Sequence, residues 1–200
     1  MLKKGSVIFL LTALASVAWA EVNLGLDVFN RYVWRGSDFG NSASFQPSME
    51  YASEYFTIGA WGAWSVDGSA GGNENDLYLS TQVGPLDLTL TDYFFPAYTG
   101  TDQILDLDNH ILELSAGGSF GDFAALVAYN FSGDVNNSAY LELAYQFFTI
   151  GMGNGFYTVK DDPDFNIVHV GVSASKDIFS VSYILNPEQE TSFLVFGISL

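Results

Sequence analysis

No cysteine occurs among the 200 residues, which excludes disulfide staples and thiolate metal sites. Basic residues are almost as rare. Six Lys and Arg stand against 23 Asp and Glu, a net charge of −17. Nucleic-acid binders need basic patches, so nucleic acid is not an expected partner. Docking to anionic lipid through a basic surface is excluded on the same ground. Charged residues of either sign make up only 14%, against about 25% in soluble domains. Beyond residue 20 no apolar run is long enough for a membrane-spanning helix. No Pro/Ser-rich linker divides the chain, and residues 21–200 are read as one domain.

What is present points one way. Aromatics reach 16% and apolar residues 48%, and mean hydropathy is +0.20. Residues 1–20 read as a cleaved secretory signal peptide: Lys3 and Lys4, an apolar run over 7–17, and the small-x-small site Ala18-Trp19-Ala20. An exported chain rich in apolar residues but without an apolar run suits a transmembrane β-barrel, where alternation dilutes them.

Period-2 alternation runs through about twelve segments: 22–35, 44–53, 55–66, 75–83, 86–96, 109–118, 123–132, 138–147, 148–159, 166–175, 178–186 and 191–200. Very short turns fall at Ser53-Glu54, Gly84-Pro85, Gly121-Asp122, near Phe147, and at Lys176-Asp177. Longer polar links occupy 37–43, 67–74, 97–108, 133–137, 160–165 and 187–190. Short turns at one end and long loops at the other form the pattern of an outer-membrane barrel, with the long loops outside the cell. The expected fold is all-β: a closed, up-and-down, antiparallel transmembrane β-barrel of about twelve strands. Closure is needed because a strand in lipid must pair every N–H and C=O.

Parity then assigns the faces. In 22–35, Val22, Leu24, Leu26, Val28, Tyr32 and Trp34 share one face. Asn23, Gly25, Asp27, Phe29, Arg31, Val33 and Arg35 share the other. The apolar faces are read as lipid-facing, with Tyr32, Trp34, Tyr51, Phe94, Tyr145 and Phe148 as aromatic-girdle candidates. The pore-lining candidates are Asp27, Arg31, Arg35, Glu50, Asp87, Glu113, Glu142 and His169, with Glu74 and Asp76 nearer the outer mouth. Phe29, Trp61, Tyr93 and Phe193 can also point inward. Two arginines among carboxylates suit charge pairs that fill a narrow lumen, or a constriction that selects ions. Asp92 is a misfit directed toward lipid, expected above the hydrocarbon or at a bulge.

Phe29-Asn30-Arg31-Tyr32-Val33-Trp34-Arg35-Gly36-Ser37 resembles the S-x-Y-x-F-R-G-x-S signature of the TorF-type porins, a proteobacterial family. Blocks at 45–51, 56–62, 74–78, 92–96 and 110–114 are similar to further family blocks in the same order. Asn30-Arg31 stands where the family usually has Ser-x, which adds a charge. The resemblance implies an outer-membrane barrel with a pore and names no solute. The alternating last strand also resembles the signal that barrel-assembly machinery reads, although that signal usually ends in an aromatic and this chain has Leu200.

An enzyme is not expected. Small outer-membrane hydrolases need a histidine and a serine together. His110 shares its face with Leu112 and Leu114, and His169 shares its face with Ser173 but points inward. No cofactor is expected. Asp102, Asp106 and Asp108, and Asp161, Asp162 and Asp164, lack the Gly and distal Glu of an EF-hand, so no defined metal site is expected. Such acidic loops could still hold Ca²⁺ or Mg²⁺ against lipopolysaccharide. The functional expectation is a passive porin for small hydrophilic solutes or ions, cation-preferring through its acidic mouth. The alternative is a non-conducting barrel with a structural or surface-interaction role. Expected partners are outer-membrane lipid and lipopolysaccharide, the barrel-assembly machinery, and the solutes themselves.

Overall fold

The computed structural model describes residues 21–68, 70–98 and 100–200. The signal peptide assigned to 1–20 lies outside the described residues. The strands are β1 (Glu21–Phe29), β2 (Tyr32–Trp34), β3 (Ser37–Phe39), β4 (Ser44–Ala52), β5 (Thr57–Ser65), β6 (Glu74–Val83), β7 (Leu86–Phe94), β8 (His110–Phe120), β9 (Phe123–Ser132), β10 (Ala139–Tyr145), β11 (Phe148–Gly153), β12 (Asn166–Lys176), β13 (Phe179–Asn186) and β14 (Thr191–Ser199). β1 and β4 to β14 close into a twelve-strand antiparallel barrel in which each strand pairs its neighbours in the chain. β2 and β3 form a separate two-stranded hairpin.

Alternation builds the wall. Leu77, Leu79, Leu90, Leu114, Val127, Leu143, Val181 and Tyr183 are exposed on the outer face, while Glu113, Ala128, Tyr140, Ile184 and Val195 are buried inside. The packed core therefore lies within the barrel, around Ala128, Tyr140, Tyr157 and Val168, with Trp34 against it. An apolar exterior around a polar and aromatic interior fits an outer-membrane barrel. The connections alternate as expected. Two-residue turns join β6 to β7, β8 to β9, β10 to β11 and β12 to β13, all at one end, and the longer loops stand at the other.

The first strand departs from the sequence reading, which carried it through to residue 35. β1 stops at Phe29 and the chain leaves the wall. Asn30 makes the exit possible. Its backbone N–H donates to Phe196 O at 3.0 Å, its Oδ1 accepts from the Phe196 N–H at 2.7 Å, and its Nδ2 donates to Leu194 O at 3.1 Å. The side chain thus continues the ladder to β14 after the β1 backbone has turned away. Tyr32-Val33-Trp34 and Ser37-Asp38-Phe39 then pair across Arg35-Gly36. Both turn residues have positive φ, 48° and 84°, as a type I′ hairpin turn requires. Alternation hides this break because the hairpin strand alternates too. Tyr32 and Trp34 are consequently lumen residues, not girdle residues.

Two smaller differences follow. β11 ends at Gly153, not near residue 159, and the register shifts between Gly151 and Met152 against β12. The bulge turns Val168 inward, fully buried, where strict alternation had placed it outside with Val170. Asp92 sits on a regular ladder two residues from the long-loop end of β7, so no bulge accounts for it. Its Oδ1 lies 2.7 Å from His110 Nδ1, and His110 Nε2 lies 3.0 Å from Ile104 O. Phe94 stacks on the His110 ring at 4.9 Å and is buried, so it is not exposed as a girdle residue would be.

Candidate functional site: a hairpin packed into the lumen

Eight strands enclose about as much space as wall side chains can fill, and twelve enclose more. The β2–β3 hairpin takes up that surplus. A free two-stranded hairpin is marginal in water, so it needs anchors. The tip anchor is Arg35, held bidentately by Glu113 of β8: Nη1 to Oε2 at 2.5 Å and Nη2 to Oε1 at 3.0 Å. Their side chains are only 8% and 2% exposed. The hydroxyl of Tyr93 donates to Glu113 Oε1 at 3.1 Å and that of Tyr157 donates to Oε2 at 3.4 Å. Arg35 also donates to the Tyr157 hydroxyl. The guanidinium lies 4.2 Å from the Trp34 ring centroid and 4.6 Å from that of Tyr140. A buried ion pair is tolerable only when its remaining hydrogen-bonding capacity is met, and here aromatic hydroxyls meet it.

The rest of the hairpin is fastened in the same manner. Asn186 of β13 donates from Nδ2 to Gly36 O at 3.0 Å. A Cβ on Gly36 would come within 1.9 Å of Val168 O, so the turn rests directly on β12. At the base, the Tyr32 hydroxyl donates to Glu74 Oε2 at 2.7 Å, and its ring packs on Trp61 at 5.6 Å and Phe39 at 5.3 Å. Trp34 meets Tyr93 edge-on at 5.6 Å. Arg31 pairs with Asp38 across the hairpin and lies 5.7 Å over the Phe193 ring. The contacts run from β5 and β6 through β7, β8, β10 and β12 to β13, which is most of the way round the inner wall.

A cavity of about 600 Å³ remains between the hairpin and the inner wall. Glu50, Glu74, Asp76, Tyr32, Trp61 and Tyr78 are among its lining residues. Tyr78 donates to Glu50 Oε1 at 2.6 Å, reaching from β6 to β4. Its ring lies flat across Gly59 of β5, where a Cβ would be 2.3 Å from Tyr78 Cζ. Asp76 Oδ1 is buried without a hydrogen-bond partner. A smaller cavity of about 220 Å³ is lined by Asp87, Glu142 and small residues of β8 and β9.

The pore-lining candidates therefore separate. Arg35 and Glu113 meet at the hairpin tip, and Arg31 stays at its base. Glu50 lies in the larger cavity and Asp87 and Glu142 in the smaller one. Glu142 accepts from the Tyr140 hydroxyl at 2.8 Å. Asp27 keeps the inner-face parity of Phe29 on β1, opposite Gln46. His169 stands beside the β12 bulge with its ring over Gly171. Glu74 and Asp76 face the larger cavity, as do Phe29, Trp61 and Tyr93. Parity missed Asp38, Tyr157 and Asn186 as lumen anchors. One signal for the hairpin was legible: a Gly-containing pair, Arg35-Gly36, directly after the β-prone triplet Tyr32-Val33-Trp34.

At the long-loop end, Asp134 organises the β9–β10 connection. It accepts from Asn130 Nδ2 at 3.0 Å, from the Asn136 N–H at 2.9 Å and from the Ser138 N–H at 3.0 Å. Burial pushes its carboxyl up, but these hydrogen bonds outweigh burial and hold it below the ordinary aspartate value.

Comparison of the chain with protein-family models, with curated proteins and with solved structures found no match.

Proposed function

We propose that the chain is an outer-membrane barrel whose lumen is closed by its own hairpin, so that it retains a small chamber and does not act as a general-diffusion pore. The observation that carries this reading is the Arg35–Glu113 pair, which fixes the hairpin across the lumen. The apolar outer face, the signal peptide expected from residues 1–20 and the blocks resembling TorF-type porins support placement in the outer membrane of a Gram-negative cell. The short turns then face the periplasm and the hairpin enters from the outer end. The larger cavity runs from the hairpin to Glu50, two residues before the short-turn end of β4. The acids on its wall favour a second reading, a narrow cation-preferring pore.

Planar-bilayer recording separates the two. The native barrel is expected to give no steady conductance steps, and a variant with 31–38 replaced by a short Gly-Ser link is expected to give large ones. Regular large steps from the native protein would overturn the closed lumen in favour of the passive pore. Cofractionation with outer membranes, together with heat-modifiable gel mobility, checks the location and the barrel fold.

A further inference from the structure

Resting on that closed-lumen reading, we infer that the chamber beside the hairpin binds a small organic cation, a quaternary or protonated amine. Three carboxylates face it: Glu50, Glu74 and Asp76. The basic side chain on its wall, Arg31, is already paired with Asp38. The carboxyl groups of the chamber therefore have no free basic partner on its lining. Asp76 is only 8% exposed and its Oδ1 has no partner. Glu74 adjoins it on the same face of β6. The two carboxyl groups are close enough for one to hydrogen-bond the other through a shared proton, and an organic cation seated between them takes the place of that proton.

The aromatic walls decide which cation. Tyr32 and Trp61 stand 5.6 Å apart at one side of the chamber. Ring faces attract a cation that carries its own apolar surface, which is how quaternary ammonium groups are held. Among the described residues no group of three or more His, Cys, Asp or Glu is placed to hold a metal ion, so a bare divalent cation is a poor fit. A neutral sugar would leave the carboxylates unpaired. The cavity of about 600 Å³ falls within the ordinary range for small-ligand sites.

The test uses the full barrel in detergent micelles, titrated with choline chloride and followed by tryptophan fluorescence and calorimetry. Sodium chloride at matched ionic strength and maltose are the comparators. Choline should give a saturable response that sodium chloride and maltose do not. Asp76→Asn should weaken it by about tenfold or more, the loss of one desolvated charge partner. Asp102→Asn, in an outer loop, should leave it unchanged. Heat-modifiable mobility shows whether each variant is folded. If Asp76→Asn does not fold, Glu50→Gln on β4, two staves away, takes its place, with a clear loss of affinity expected. A response equal to that of sodium chloride, saturation by maltose, or native affinity in the folded variant would each overturn the assignment. Conductance is read separately: a silent barrel blind to choline sinks only the ligand, and a conducting barrel that binds choline sinks only the closure.

Discussion

Single side chains decide more of this molecule than composition suggests. Glu113 is buried at 2% exposure and accepts from Arg35, Tyr93 and Tyr157. Glu113→Gln would leave the Arg35 guanidinium buried without its counter-charge. Removing one partner of a buried pair costs about 3–5 kcal/mol. The midpoint of the heat-modifiable gel transition should fall accordingly. Adding Arg35→Met should recover much of the loss, because no orphan charge then remains. Asp134 gives a different test, in pH. Its folded-state pKa lies below its unfolded value, so its contribution is present above the unfolded value and disappears as pH falls through the folded one. Asp134→Asn should therefore lower the melting midpoint near neutral pH, by about 1–2 kcal/mol in stability. The native and variant midpoints should converge in strong acid. A difference independent of pH would mean that the hydrogen-bond geometry, and not the charge, holds the loop.

At the scale of elements, alternation made the twelve staves legible, and the break after Phe29 was not. Asn30, Tyr32 and Trp34 fit the same period whether the chain continues along the wall or folds inward. The information that separates the two cases is long-range. It lies in the Asn30 bonds to Leu194 and Phe196 on β14, and in the bonds to Glu74, Glu113 and Asn186. The inward carboxylates of the wall could be read from parity; the partners Tyr32, Arg35 and Tyr157 could not, because they sit on the hairpin and on the 154–165 loop. The hairpin's own turn is the sharpest place to test its docking. Gly36 has φ of 84°, and a Cβ would meet Val168 O at 1.9 Å. Gly36→Ala should release the tip while leaving the wall intact, since the barrel ladders close without it. Limited proteolysis should then cut within 30–43, heat-modifiable mobility should persist, and conductance steps should emerge. Protection equal to the native chain would show that the tip can shift without undocking.

For the whole molecule, charge imbalance and closure act together. A net charge of −17 with few basic residues could have meant only a repelling surface. In the folded barrel, part of that charge faces inward, and the hairpin carries two of the few cations, Arg31 and Arg35, to meet it. Replacing 31–38 removes both arginines together with Asp38 and leaves Glu50, Glu74, Asp76, Asp87, Glu113 and Glu142 on the bare inner wall. Rings of carboxylates in a narrow aqueous path favour cations and exclude anions. The opened channel should therefore show a reversal potential in asymmetric KCl that moves toward the potassium equilibrium value. That shift should shrink at high salt, because screening shortens the reach of each carboxylate. Restoring only the guanidinium, through a replacement link that carries a single Arg at the tip, should reduce the cation preference without closing the channel. A reversal potential near zero, with no preference for either ion, would mean that the inner carboxyls are all protonated in the opened barrel, and the selectivity argument would then fail.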